Sequence, residues 1–475
     1  MDNHGTLPDR DSGKNSGILL VATNRWPLAA RLASGFLDLG CRVAAVCPVP
    51  GHPISKVRGF ESLYRYDGGH PLESLRTAIE SFAPDLIVSL CDRSVQHLHE
   101  LHSRCSLETE GGRRTRRLIE RSLGPADSYP IVSSRYDLLM LAKDAGIRVP
   151  ETARVDSVED LKSLQKDPPW LLKADGTWGG RGVRKADDIA SAEDAFLELT
   201  TRVRVFGLAK QLVLNRDRDW TVANWRRSQP RVIAQAFVAG RPANCAICCW
   251  QGEVLAGIAV EVIRSDGPCQ PATIVQVVEG REMIDAAKHI ARRLKLSGFF
   301  GLDFMIEHKT GERFLIEMNP RCTPPCSVSL GEGRDLVSAI RGKLTNQNVH
   351  DRPSLTDKTK IAYFPQVQVD GLDSACLDIP NEQPELVHEL LHPWSERSLA
   401  GRLLDWLSGK SAAARDLTPC VFEIPKLSVV DAAEKDPIQQ LEPQQERVIT
   451  EAAGQQVMAV QSGPNMLVIS ANTGK

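Results

Sequence analysis

Leu171-Leu172-Lys173-Ala174-Asp175-Gly176-Thr177-Trp178-Gly179-Gly180-Arg181-Gly182-Val183 is the stretch on which the fold turns. An apolar run from Trp170 to Ala174 reads as a strand and delivers Lys173, after which four glycines fall within residues 176–182. Glycine lets backbone N–H groups turn inward around an anion without a Cβ clash. A lysine beside such a loop adds a point charge suited to phosphate. No Gly-Lys-Ser or Gly-Lys-Thr follows, so the segment is not a Walker loop. A hairpin turn with an incidental lysine is the competing reading.

Downstream, Phe300-Gly301-Leu302-Asp303-Phe304-Met305-Ile306 and Phe314-Leu315-Ile316-Glu317-Met318-Asn319-Pro320-Arg321 are apolar strands that carry acidic residues. Strand alternation puts Glu317 and Asn319 on one side. If the two strands are antiparallel neighbours joined through Lys309 to Glu312, Asp303 faces that pair. Two carboxylates and an amide oxygen are the hard donors that Mg²⁺ takes alongside phosphates. Ions bridging the outer phosphates would neutralise charge during phosphoryl transfer. Arg321, just beyond, suits a phosphoryl group or a carboxylate. The alternative is a strand pair with its acids in solvent. Glu317 within an apolar strand weighs against it, because a buried carboxylate needs partners.

Upstream, Ile18 to Ala22, Arg42 to Cys47 and Leu86 to Leu90 are short apolar runs separated by the helical patterns Leu28 to Leu39 and Leu72 to Phe82. Runs without alternation are what a buried parallel sheet requires, so this part is an α/β lobe of Rossmann-like type. Thr23-Asn24-Arg25-Trp26-Pro27 follows the first strand in place of a G-x-G-x-x-G turn, so the dinucleotide fingerprint is absent. Asn24, Arg25, Asp92 and Arg93 stand at strand carboxyl ends, as substrate contacts or as helix caps. Beyond residue 230, strands near 232–238, 245–249, 254–263, 272–278, 299–306 and 313–318, with a helix over 281–294, give an α+β lobe. Arg264 and Glu261 there are either pocket residues or surface charges.

The expected divisions are a flexible N-terminus over 1–17, a Rossmann-like domain over 18–130, a small lobe with a connecting region over 131–230 and a large lobe over 231–345. A packed C-terminal extension over 346–430 and a loosely ordered tail over 431–475 complete the chain. A length of 475 residues exceeds one ordinary core, consistent with several lobes. A formal net charge of −2 gives no electrostatic case for nucleic acid or an anionic membrane. No apolar stretch is long enough to span a bilayer, so a cytoplasmic protein is expected. The cysteines sit mostly singly in apolar runs. The dense group Cys245, Cys248 and Cys249 lacks a second pair at zinc-like spacing, which indicates structural thiols.

Over residues 18–345 the order and separation of these segments closely resemble the ATP-grasp family. The resemblance implies a Rossmann-like preceding domain followed by two lobes that clamp ATP. It also implies Mg²⁺, with Mn²⁺ as an alternative, and a carboxylate activated as an acyl phosphate that an amine attacks. By position, Lys173 and Arg135 would meet the phosphates. Gly176, Thr177, Trp178, Gly179, Gly180 and Gly182 would form the loop that closes over them. Asp303, Glu317 and Asn319 would hold metal, and Arg321 and Lys173 would act in catalysis. Gln235, Phe237 and Val238, in the strand Ile233 to Val238, would line the adenine. The family's Ser-Lys pair is Ser134-Arg135 here, Ala236 replaces a hinge glutamate, and Arg241-Pro242-Ala243-Asn244 stands where a ribose-binding glutamate is common.

The implied reaction joins a small-molecule carboxylate to an amine, amino acids or a short peptide by default, releasing ADP and phosphate. A small-molecule kinase, a carboxylase or a non-catalytic ATP-binding protein is the alternative. Cys322 and Cys326 flank the Thr323-Pro324-Pro325 turn and could shape the acceptor pocket. A homodimer is admissible, though no interface is legible.

Overall fold

A computed structural model of the chain describes residues 15–48, 51–164, 167–176, 182–200, 230–265, 267, 271–347, 360–367 and 376–391. The first lobe is a parallel sheet in the order β3-β2-β1-β4, built from β1 (Gly17–Val21), β2 (Arg42–Cys47), β3 (Ser62–Arg65) and β4 (Leu86–Ser89). Every residue of β1 and β4 is buried, as unalternating apolar runs demand when helices cover both faces. The crossover helices Leu28–Asp38 and Pro71–Phe82 connect its strands, and the helix Asp92–Arg104 follows the last of them. The arginine-rich run lies on the helix Glu110–Leu123, where Arg113 and Arg117 pair with Glu110 on the outer face.

The second sheet has the order β5-β8-β6-β7, from β5 (Thr152–Val155), β6 (Trp170–Ala174), β7 (Val183–Ala186) and β8 (Val232–Ala236). β6 and β7 are an antiparallel hairpin, with the Ala174 N–H donating to the Gly182 carbonyl at 2.9 Å. The strand at 232–236, assigned from sequence to the large lobe, pairs with both β5 and β6 in this small sheet. Its apolar run is compatible with either sheet, and strand pairing decided. Between β5 and β6 the helix Val158–Leu161 is a single turn, and residues 165–166 lie outside those described.

The third sheet has seven strands in the order β13-β12-β9-β10-β11-β14-β15. They are β9 (Gly240–Trp250), β10 (Glu253–Ser265), β11 (Ala272–Val278), β12 (Gly298–Glu307), β13 (Arg313–Asn319), β14 (Lys360–Ala362) and β15 (Cys376–Leu377). One face is closed by the helix Arg281–Leu294, which buries Met283, Ala287, Ile290 and Leu294 at helical spacing. The opposite face shows what alternation does. Phe299, Gly301 and Asp303 point to it from β12, opposite Cys248, Ala246 and Asn244 of β9. Phe299 packs edge-on against Phe36 of the first lobe, with ring centroids 6.4 Å apart. Gly301 leaves room for Thr323, whose Cγ2 would lie 2.5 Å from any added Cβ. Asp303 reaches open space, so one strand face passes from core to cleft within five residues.

The C-terminal extension ties the third sheet to the first lobe. β14 adds to β11, Asp378 pairs with Arg31 and Gln383 Nε2 donates to Ser34 Oγ at 2.8 Å. The helix Pro384–Leu391 buries Leu386 and Leu390 in the same core cluster as Ile54 and Phe36. Residues past 391 lie outside those described, as do the N-terminal residues 1–14 and the tail over 431–475. No helix among the described residues is long and apolar enough to cross a membrane.

His52 orders the turn after β1. Its Nδ1 accepts from the Ile54 N–H at 3.1 Å, so the proton resides on Nε2, which donates to the Asn24 carbonyl at 3.0 Å. Burial holds His52 neutral and moves its pKa down to about 3, while burial brings His97 and His99 down to about 4. These groups bind protons more readily when unfolded. Stability is therefore intact above 6.5 and falls as pH drops from there toward about 4, continuing toward 3 for His52. Each fully effective histidine removes about 1.4 kcal/mol per pH unit within that window. Urea unfolding across it should show this acid slope, and His52→Asn should flatten it; an unchanged slope would exclude His52 as a contributor.

Candidate active site

The register of the third sheet assembles the site. Glu317 pairs with Asp303, Asp303 with Asn244, and Asn244 with Val260, so one row of side chains crosses four strands. All four line a cleft of about 710 Å³ that also reaches Leu171 and Lys173 of the small sheet. The antiparallel pairing expected for Asp303 and Glu317 is present, with a bulge directly after Asp303.

Burying Asp303 calls for donors, and two amides supply them. Asn244 Nδ2 donates to Oδ1 at 2.5 Å and Asn319 Nδ2 donates to Oδ2 at 2.8 Å. Burial, with Glu317 adding to it, still pushes the Asp303 carboxyl above its usual range, because those amides and Arg321 offset only part of the cost. Arg135 occupies the other carboxylate: Nη2 donates to Glu317 Oε1 at 2.6 Å, and Nη1 donates to the Ala174 carbonyl at 2.5 Å. Asp175 lies 3.5 Å from the same guanidinium. One side chain at the start of the helix Arg135–Asp144 thus joins the end of β6 to β13. Arginine's planar fork suits this two-sided role, which an ammonium would not fill.

Lys173 is buried, and its Nζ donates to Gln235 Oε1 at 2.7 Å and to the Ile316 carbonyl at 3.3 Å. Arg321 turns back to the first lobe. Its Nε donates to Asp92 Oδ2 at 3.1 Å, its Nη2 to Asn319 Oδ1 at 3.0 Å, and its guanidinium lies 5.2 Å from the Trp26 ring centre. The Cys322 N–H donates to the Ser89 carbonyl at 3.1 Å, which sets the segment across the carboxyl end of β4.

The structure therefore brings Arg135, Lys173, Asp303, Glu317, Asn319 and Arg321 to one cleft. Gly176 lies beside a smaller adjoining cavity, and Gly182 closes the hairpin. Thr177, Trp178, Gly179 and Gly180 lie outside the described residues. The hinge expectation needs correction. Gln235 is buried beneath Lys173, whereas Phe237 and Val238 do not line the cleft. β8 ends at Ala236, and Phe237 turns outward beneath Lys185, whose Nζ stands 5.3 Å from the ring centre. Glu261 and Arg264 are absent from the cleft lining, and Glu261 faces Arg241 at 3.4 Å. Asn24, Arg25 and Asp92 do line it.

Asn244 is the residue that sequence reasoning missed. Its Oδ1 is buried with no hydrogen-bond partner among the described residues. An amide two residues after a proline carries no sequence signal by itself; only the pairing with Asp303 exposes it. Two carboxylates and two amides form an all-oxygen donor set that fits Mg²⁺, and the orphaned Oδ1 is a ligand atom with nothing else to bind. Among the described residues no group of three or more His, Cys, Asp or Glu side chains is placed to hold a metal, and Cys245, Cys248 and Cys249 are fully buried in β9. Arg135→Met should leave Glu317 without its buried cation and cost about 3–5 kcal/mol in urea unfolding. A loss under 1 kcal/mol would show that the two lobes do not depend on this pair.

Residues 132–325 match the ATP-grasp domain family. Over 223 residues the chain is 26% identical to the carbamoyl phosphate synthase large chain of Methanothermobacter thermautotrophicus, a match covering 46% of this chain and 20% of that relative. Among solved structures, the L-amino acid ligase of Bacillus licheniformis aligns with TM-score 0.48 at 15% identity, covering 70% of this chain and 75% of that one. The biotin carboxylase of Campylobacter jejuni aligns with TM-score 0.49 at 15% identity, covering 69% and 71%. The N5-carboxyaminoimidazole synthetase of Staphylococcus aureus aligns with TM-score 0.48 at 13% identity, covering 72% and 81%. Residues 132–325 are thus an ATP-grasp domain, preceded in the chain by the α/β lobe.

Proposed function

We propose that the chain is a Mg-ATP-dependent ligase that activates a small-molecule carboxylate and joins it to an amine. The observation that carries this reading is the cleft-lining row Glu317, Asp303 and Asn244 beside Lys173, Arg135 and Arg321. An acidic pole flanked by three cations suits a polyphosphate with its metal, and it would be costly to bury for any lesser purpose.

Asp303, Glu317, Asn319 and Asn244 would hold Mg²⁺, which neutralises phosphate charge when bound. Lys173, already directed by Gln235 and the Ile316 carbonyl, aims its ammonium at the phosphates from the small sheet. Arg135, which donates to Glu317 here, would turn its fork to the nucleotide's phosphates where the carboxylates hold metal. Arg321, anchored by Asp92 and Trp26, orients the substrate carboxylate. That carboxylate attacks the γ-phosphorus, ADP leaves, and an acyl phosphate forms. The amine then attacks the acyl carbon, inorganic phosphate leaves with the C–O bonding pair, and the amine proton passes to solvent. Positioning and charge neutralisation carry the rate. The narrow cleft limits water, which would otherwise hydrolyse the acyl phosphate.

Purified protein with Mg-ATP and pooled carboxylates and amines should release ADP only when both classes are present, with a condensed product by mass. Glu317→Ala should abolish the release, and AMP with pyrophosphate in place of ADP would overturn the acyl-phosphate route. Asn244→Ala should weaken Mn²⁺ binding, read by electron paramagnetic resonance in the presence of ADP, by about tenfold. Unchanged Mn²⁺ affinity would remove Asn244 from the metal set.

A further inference from the structure

The cleft continues past the metal row, and its far end is made by chain outside the ATP-grasp match. Val262 pairs with Val275, and Val275 pairs with Ile361 of β14. Just beyond β14 the Tyr363 N–H donates to the Thr273 carbonyl at 2.9 Å. Tyr363 and Gln366 thus line the cleft from the C-terminal extension, and Asn24 lines the same cleft from the first lobe. Tyr363 is only 7% exposed. Its hydroxyl, Asn24 Oδ1 and Gln366 Oε1 are all buried with no hydrogen-bond partner among the described residues. Buried polar atoms are ordinarily paired, so three orphans in one cavity mark a place where a ligand supplies the partners. The backbone under Asn24 is fixed by the neutral His52.

Val260, Val262, Ala272 and Val275 form an apolar floor between this end and the metal row. From β9, which carries Asn244, to β14 there are three strand steps. At the spacing of neighbouring strands these steps amount to about 14 Å. An extended peptide covers that distance with about four residues.

We propose that Asn24, Tyr363 and Gln366 form a recognition site for a primary amino group at the remote end of an elongated carboxylate substrate, whose reacting carboxyl lies at the metal row. The site rests on the ligase reading above and gives its substrate a class. Three neutral oxygens match the three N–H donors of a primary ammonium, and the apolar floor takes the body between the two ends. The C-terminal extension is then the segment that measures substrate length.

Calorimetric titration of the full chain with tetra-alanine and with propionyl-trialanine, which has the same length but no terminal amine, tests the site with and without Mg-ADP. The wild type should bind the first at least about tenfold more tightly. Tyr363→Phe, which keeps the ring, and Gln366→Leu should each reduce that preference to about twofold or less, with Mg-ADP affinity unchanged. Equal binding of the two probes by the wild type, binding of neither by protein that binds Mg-ADP, or a preference surviving in both variants would overturn the proposal. A preference intact in protein that fails to bind Mg-ADP would sink the nucleotide reading and leave the amine site standing.

Discussion

The Asp303 carboxylate lies half-buried on the face of an apolar sheet, and the polar architecture of the cleft follows from what that partial desolvation costs. Where the sheet excludes water, Asn244 and Asn319 donate to its two oxygens. Asn319 in turn takes a donor from Arg321, and Arg321 takes Asp92. Glu317, next in the row, takes Arg135. Apart from Asn244 Oδ1, each polar group leans on the next, and the chain of partners links the first lobe, the small sheet and the large sheet. The carboxyl remains raised despite this, which leaves it poised to gain from a divalent cation.

Two arginines do the joining. Arg135 holds the small sheet to the large one through Ala174 and Glu317. Arg321 holds the large sheet to the first lobe through Asp92 and the Trp26 face. On the proposed function a bound polyphosphate would compete for Arg135 and a substrate carboxylate for Arg321. On that reading lobe packing and ligand binding draw on the same charges, and occupancy of the cleft should alter how tightly the lobes are held.

The C-terminal extension is more than cover. β14 extends the large sheet, the Arg31–Asp378 pair and Leu386 fasten it to the first lobe, and the turn between them reaches the cleft. The far wall of the site thus lies outside residues 132–325, where the family match ends.

Much of this was legible in residue order. Unalternating apolar runs marked β1, β2 and β4, the 3.6-residue pattern marked the helix Arg281–Leu294 at both ends, and Lys173 followed by glycines, with Asp303 and Glu317 further on, marked the chemistry. These signals are local, since strand, helix and glycine turn each express the period or freedom of a few neighbouring residues. Pairing is not local. Only tertiary structure put Val232–Ala236 in the small sheet, turned Phe237 away from the cleft, set Asn244 beside Asp303 and carried Tyr363 to the far end. An amide or a tyrosine has no character in sequence that distinguishes a site from a surface. It acquires one when strand register places it next to a carboxylate, or buries its oxygen without a partner, and register is set by the packing of the whole sheet.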